Sequence, residues 1–584
     1  MKTLLSAILF VSALALEAAL PSAAQTDINA QAQEAYRAGS AAASNKDLQT
    51  AQVEFEKVVR LVPQLEEGHS ALGAVLLGLG QFPQAIKELE TAIELKPTDV
   101  SARTNLALAY EQTGAHKKAI VLFNELETAA QSSALPSYVL AAYARSLAAT
   151  GQLPEATAKM KTAVAESPQN AELHDSLGSL YAQQRNWPSA ITEFHEAIQL
   201  NPQFAAAHMQ LGVALREQQQ VASAIPELTF ASTLAPNNAT AFMELGNAYA
   251  ANGEDNNAID AFQHAIKLNP SYTEAKYLLA LALQRTGHNA DAVPLLRQVV
   301  KAQPKNAEAG ATLGLALLIA GNARDAIPFL ERTLQQKPND ATAHENLAAA
   351  YLQMNQVDEA IQVLNAGLKS NPKSFQLHYN LGLALKMKDD NADAIPELAA
   401  AAKINPSAHE PHYTLGVLYM QDGRYDDAAR ELSLAMKLHP QNPDGWATLG
   451  SLYRKMNKLP EAADALREAI RQMPNQPDSH LTLAAVLAQQ GQSGEAAAER
   501  KKGAELERVA MNRQRATVST NSGNSLLQKG QVTDAIERYQ EALSSDPNYA
   551  EAHRGLAQAL ERQGKKEEAA AEQQKADELE KSHP

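Results

Sequence analysis

Eight of the fifteen histidines, His69, His174, His208, His344, His378, His412, His480 and His553, stand at one and the same place in a 34-residue period. Imidazoles repeated in register could ligate metal ions, move protons or fill a packing site. Distance excludes metal ligation between neighbours. Equivalent positions in stacked helical layers lie about 8–10 Å apart, whereas a Zn–N bond is about 2 Å. The ring is expected instead to fill the place that Trp446 fills in its own period. His409 and His412 form a closer pair on one helical face, but two imidazoles without a third ligand or a thiolate make no metal centre. G-x-S-x-G, H-E-x-x-H and P-loop patterns are absent, and Gly78-Leu79-Gly80 lacks the third glycine and the preceding strand of a dinucleotide fingerprint. No catalytic residue, cofactor or metal is expected, and the chain reads as a non-enzyme.

A second set of residues suits binding. The fifth position of the period holds Tyr277, Tyr379 and Tyr413, and the sixth holds Asn105, Asn346, Asn380 and Asn521. An asparagine can both give hydrogen bonds to an extended peptide backbone and take them from it, and a tyrosine offers rigid amphipathic contact area. Tyr379, Asn380, Asn346 and Tyr413 fall in consecutive periods and form the first candidate cluster.

The elements that must position these side chains follow from the period itself. Prolines at Pro168, Pro202, Pro236, Pro270, Pro304, Pro338, Pro372, Pro406, Pro440 and Pro474 are spaced by 34 residues without a slip. Counting from the third residue after each proline gives sixteen units, beginning at Ala32, Glu66, Val100, Ser137, Ala171, Ala205, Ala239, Thr273, Ala307, Ala341, Phe375, His409, Pro443, Pro477, Ala516 and Ala550. Position 20 is alanine in every unit, and position 8 is glycine or alanine in every unit. In Ala171 to Phe204, Leu173, Leu177, Leu180 and Tyr181 recur at helical spacing, and after a polar break Ile191, Phe194, Ala197 and Ile198 repeat the pattern. Each unit is therefore two amphipathic helices, with the small residues where they cross and the proline closing the second helix. Pro226, Pro294, Pro328 and Pro396, at position 22, are expected among the leading residues of a second helix that starts near Asp291 or its equivalent, where no N–H donor is missed.

This pattern resembles the tetratricopeptide repeat: Trp446, Leu449, Gly450, Tyr453, Ala462, Leu466, Ala469 and Pro474 occupy that family's positions 4, 7, 8, 11, 20, 24, 27 and 32. The resemblance covers Ala32 to the C-terminus. It implies an all-α, right-handed superhelical solenoid whose first helices line a concave groove at positions 2, 5, 6, 9, 12 and 13, in a family whose members mostly bind proteins or peptides. It thereby assigns Tyr277, Tyr379, Tyr413, Asn105, Asn346, Asn380 and Asn521 to a protein-binding groove. The family's clamp for a C-terminal carboxylate is not matched, because Asn247 and Asn524 are followed by Leu278 and Gly555 at the next sixth position.

The regularity breaks at two main places. The third unit has Gln131 in place of proline and runs three residues long through Pro136, which predicts a protruding loop. Between Glu495 and Arg515 the proline is again missing, and the sequence reads as one long charged helix. The domain reading is thus a repeat array over 32–509, a junction at 510–515, and a C-terminal pair of repeats with a capping helix over 516–584.

Composition bounds the rest. A formal charge of −15 argues against a nucleic-acid partner. Lys2, the apolar run Leu4 to Leu16 and the small residues Ser22-Ala23-Ala24 predict a signal peptide over 1–24, export to the periplasm or beyond, and no membrane span once it is removed. With no cysteine, the exported chain holds no disulfide. The expectation is an exported scaffold that binds proteins or extended peptides in its groove; the alternative is a periplasmic spacer or guide for an envelope polysaccharide.

Overall fold

In the computed structural model the described residues are 23–130 and 135–582, and they form thirty-one α-helices without a strand. All but the last two residues of the expected signal peptide, and most of the expected loop before Ser137, lie outside the described residues. Among the described residues no helix is long and apolar enough to cross a membrane.

The first helix of a unit, here helix A, occupies positions 1–13, as in Glu66–Gly78, Ala171–Gln183 and Phe375–Met387; helix B occupies positions 17–30, as in Phe82–Leu95, Trp187–Leu200 and Asn391–Ile404. Asp99, Asn170, Asn238, Asn306, Asp340, Ser374 and Asn442 cap A helices by accepting a bond from a first-turn N–H. Between the helices, position 15 has a left-handed backbone in all sixteen units: ten are glycine, and six are Lys46, Arg185, Gln219, Asn355, Asp389 and Asn457. The N–H of position 16 then reaches back to the carbonyl of position 11, as from Gln81 to Leu76 at 2.9 Å and from Asn186 to Tyr181 at 2.9 Å.

The small residues act as the spacing implies. All sixteen alanines at position 20 are buried. A Cβ on Gly73, Gly178, Gly246 or Gly314 would lie 2.4–2.6 Å from Leu89, Phe194, Phe262 or Leu330, the side chain at position 24 of the same unit. Helix A thus rests directly on a buried apolar side chain of helix B, and within each body B helices also pack on the next A helix, as Phe82–Leu95 does on Val100–Gln112.

One expectation about the prolines is corrected. Helix B begins at Val221, Asn289, Ala323 and Asn391, so Pro226, Pro294, Pro328 and Pro396 are sixth in their helices and not among the leading residues. Other units show why: Pro83, Pro154, Pro188 and Pro460 sit second in a helix with the same register. The four inner prolines are exposed, as are Ala222, Ala290, Arg324 and Ala392 four residues earlier, so water can reach the carbonyls they leave without a donor.

The chain divides into two compact bodies, one ending at Gln303 and the other beginning at Pro304, with eight units in each. In the second body, helix B of the fourteenth unit and helix A of the fifteenth are one continuous helix, Ser493–Gln528. Its N-terminal part packs Ala496 against Leu483 and Leu487, its C-terminal part packs Leu527 against Ala535 and Tyr539, and Val509 and Met511 in the middle are exposed. The junction expected at 510–515 lies within that helix.

Candidate interaction groove

The repeated histidines brace one unit to the next. In His69, His174, His208, His378, His480 and His553, Nδ1 lies 2.5–2.7 Å from a glutamate at position 23 of the same unit: Glu88, Glu193, Glu227, Glu397, Glu499 and Glu572. Nε2 of the same rings lies 2.9–3.2 Å from the carbonyl of the proline that closes the preceding unit. His412 keeps the glutamate, Glu431 at 2.7 Å, but its Nε2 is buried without a partner. His344, with Val363 at position 23, turns Nδ1 to the carbonyl of Asp340. Trp446 gives its indole N–H to the Pro440 carbonyl at 2.8 Å, so it does stand where the imidazoles stand. Among the described residues no three His, Asp or Glu side chains converge to hold a metal ion.

The seven candidate groove residues fall in both bodies. In the first, Tyr277 is half-buried, and Asn105 is buried, so it is not open to a ligand. In the second, Asn346, Tyr379, Asn380 and Tyr413 are all half-buried on A helices of consecutive units, and Asn521 is exposed on the long helix. Phe375 stacks parallel to Tyr379 at 6.0 Å between ring centres. Burial pushes the Tyr379 hydroxyl up from its ordinary value, with the Thr414 side chain of the next unit opposing. Asn380 accepts a bond from Gln376 at 2.9 Å, leaving its amide N–H groups for other acceptors.

Two acidic residues at position 5 were not singled out from the sequence. Asp175 is half-buried, with Oδ1 closed off from solvent and unpaired, and its carboxyl is pushed up to about 6 by burial and then by Glu172. Glu345 is pushed up as well, by burial first and then by Asp340, with a bond to Ser374 opposing. The signal was available, since the fifth position elsewhere holds small, apolar or aromatic residues in most units. Asp175 lines a cleft of about 360 Å³ with Arg145, Ala148, Met160, Ser176, Ser179 and Gln183.

Family profiles described as tetratricopeptide repeat match residues 142–203, 198–370 and 520–583, and one described as TPR repeat matches 78–114. The chain belongs to the tetratricopeptide repeat family. A profile for the C-terminal domain of cilia and flagella-associated protein 70 also matches the tetratricopeptide array, at residues 320–520. No curated protein matches the sequence. Solved structures similar to the array include YrrB, a TPR protein with an unusual peptide-binding site, at 22% identity over 34% of this chain and 97% of that one, with a TM-score of 0.31. MamA from Desulfovibrio magneticus RS-1, from residue 41 to its end, is 22% identical over 29% of this chain and 96% of its own, with a TM-score of 0.28. A chain of the APC/C hetero-tetramer Cut9-Hcn1 is 15% identical over 92% of this chain and 98% of its own, with a TM-score of 0.31. Tetratricopeptide arrays are protein-interaction scaffolds, and this chain is built as one.

Proposed function

We propose that this chain is an exported scaffold that holds an extended protein segment on its A helices, with Tyr379, Asn380, Asn346 and Tyr413 as the first contacts. The observation that carries the reading is the register of these four residues. They lie at positions 5 and 6 of three consecutive units, half-buried, on successive A helices. A segment laid across them would meet side chains that accept and donate. Several such contacts, each weak, add through the linkage of one chain. Export is supported by the sequence of residues 1–24.

The test is a pull-down from the envelope fraction of the native cell, comparing the wild type with a Tyr379→Ala, Asn380→Ala, Tyr413→Ala triple variant. Retention of a protein by the wild type and its loss from the variant supports the scaffold. Unchanged retention overturns the groove assignment, and recovery of carbohydrate alone would favour the polysaccharide guide.

A further inference from the structure

The cleft at Asp175 lies between the A helices Ser137–Ala149 and Ala171–Gln183, both in the first body. Its volume, about 360 Å³, lies within the range of ligand clefts, about 300–1,000 Å³. Its lining is of two kinds: Ala148, Met160 and Leu180 give an apolar wall, while Ser176, Ser179 and Gln183 give neutral polar groups. Two charged side chains complete it, and only one is already satisfied. The Arg145 Nε bonds the buried Glu111 at 2.8 Å, so that guanidinium, though its side chain is exposed, already has a carboxylate partner. Asp175 has no such arrangement, for its Oδ1 is without a hydrogen-bond donor.

An unpaired, partly desolvated carboxylate is costly unless something outside the chain supplies the donor. Glu172, one turn away, adds negative charge beside it. The missing group is therefore cationic, and the apolar wall suits a carrier with an aliphatic stem. Resting on the reading of the A helices as a groove for extended segments, we propose that this cleft seats a lysine or arginine side chain of a partner segment lying on the first body's own A helices, with Asp175 as its counter-ion and Met160 and Leu180 against its stem. Burial pushes the Asp175 carboxyl up to about 6 in the free protein, which a bound cation would reverse.

The experiment is selection of a displayed random peptide library on the immobilised full chain and, in parallel, on Asp175→Asn, an isosteric change, with Asp175→Ala as a second variant. Wild-type selection enriches peptides with lysine or arginine at one fixed position, both variants lose that preference, and a selected peptide binds Asp175→Asn at least about tenfold more weakly. Binders without a basic preference, or a preference that survives in both variants, overturn the proposal and leave the groove reading standing. Absence of binders on all three proteins overturns both.

Discussion

Gly178 and Phe194 offer the sharpest quantitative test of how the units are held together. A Cβ on Gly178 would lie 2.6 Å from Phe194 Cε1, 2.7 Å from Cδ1 and 3.1 Å from Cζ. Carbon atoms in contact prefer about 3.5–4.0 Å, so the ring or the helix must retreat by about 1 Å. Phe194 is fully buried and cannot swing into solvent. Overpacking of this kind costs about 1–3 kcal/mol, and the helical gain of alanine over glycine returns about 0.5–1 kcal/mol. Gly178→Ala should therefore destabilise its unit by about 1–2 kcal/mol. Leucine at position 24 leaves no more room, as Gly73 with Leu89 and Gly314 with Leu330 show, so the matched change is Phe194→Ala: it removes the atoms the new methyl would meet, and the pair should show a coupling energy of about 1–2 kcal/mol. The assay is hydrogen exchange of helices Ala171–Gln183 and Trp187–Leu200 in the two single variants and the double variant, because one unit of a repeat array opens locally. Protection should fall about tenfold when Gly178→Ala is made alone, whereas the same change on the Phe194→Ala background should lower it no further. Strict additivity would refute the claim that this contact sets the spacing of the helices.

Other perturbations follow from the same geometry. His174→Ala removes a bond to Glu193 and leaves the Pro168 carbonyl without its donor, so it should cost about 2 kcal/mol by hydrogen exchange, and more than His344→Ala, which has no glutamate to lose. Replacing Arg185 or Gln219 by glycine relieves a left-handed backbone and should raise the melting temperature, with a gain of about 0.5–1 kcal/mol. Asp175→Asn should stabilise the protein at pH 7 by about 1–2 kcal/mol and have little effect near pH 4. The sign follows because the folded carboxyl lies at about 6, above its ordinary 3.8, so its ionisation costs stability only as the pH rises through that interval. Urea unfolding at the two pH values measures it.

The helix pairs were legible because the period is strict: every A helix of the second to the fourteenth unit starts on the residue the proline count marks, from Glu66 to Pro477. The start of helix B was read two residues late at Asn289, since a proline at position 22 marks no helix start by itself. The histidine brace was written in the sequence as a glutamate nineteen residues after seven of the eight histidines, yet it was read only as packing, because such a pair meets across two helices and not along one. Groove exposure was the least legible property. Asn105 and Asn380 occupy the same position, yet one is buried and the other half open, a difference set by packing across units and not by the residue type. The carboxylate of Asp175 carries no sequence mark of its missing partner, which depends on where Arg145 and Glu111 meet.

The central claim, that an extended segment of a partner lies along the A helices of the tenth to twelfth units, is tested most directly by photo-crosslinking. A benzophenone amino acid placed at Tyr379 or Tyr413, with controls at the exposed B-helix positions Arg332 and Pro396, would be activated in the native envelope and the products sequenced. The account predicts crosslinks from both tyrosine positions to one short stretch of a single protein, and none from the controls. Crosslinks only from the controls, or from the tyrosine positions to scattered sites on many proteins, would contradict it.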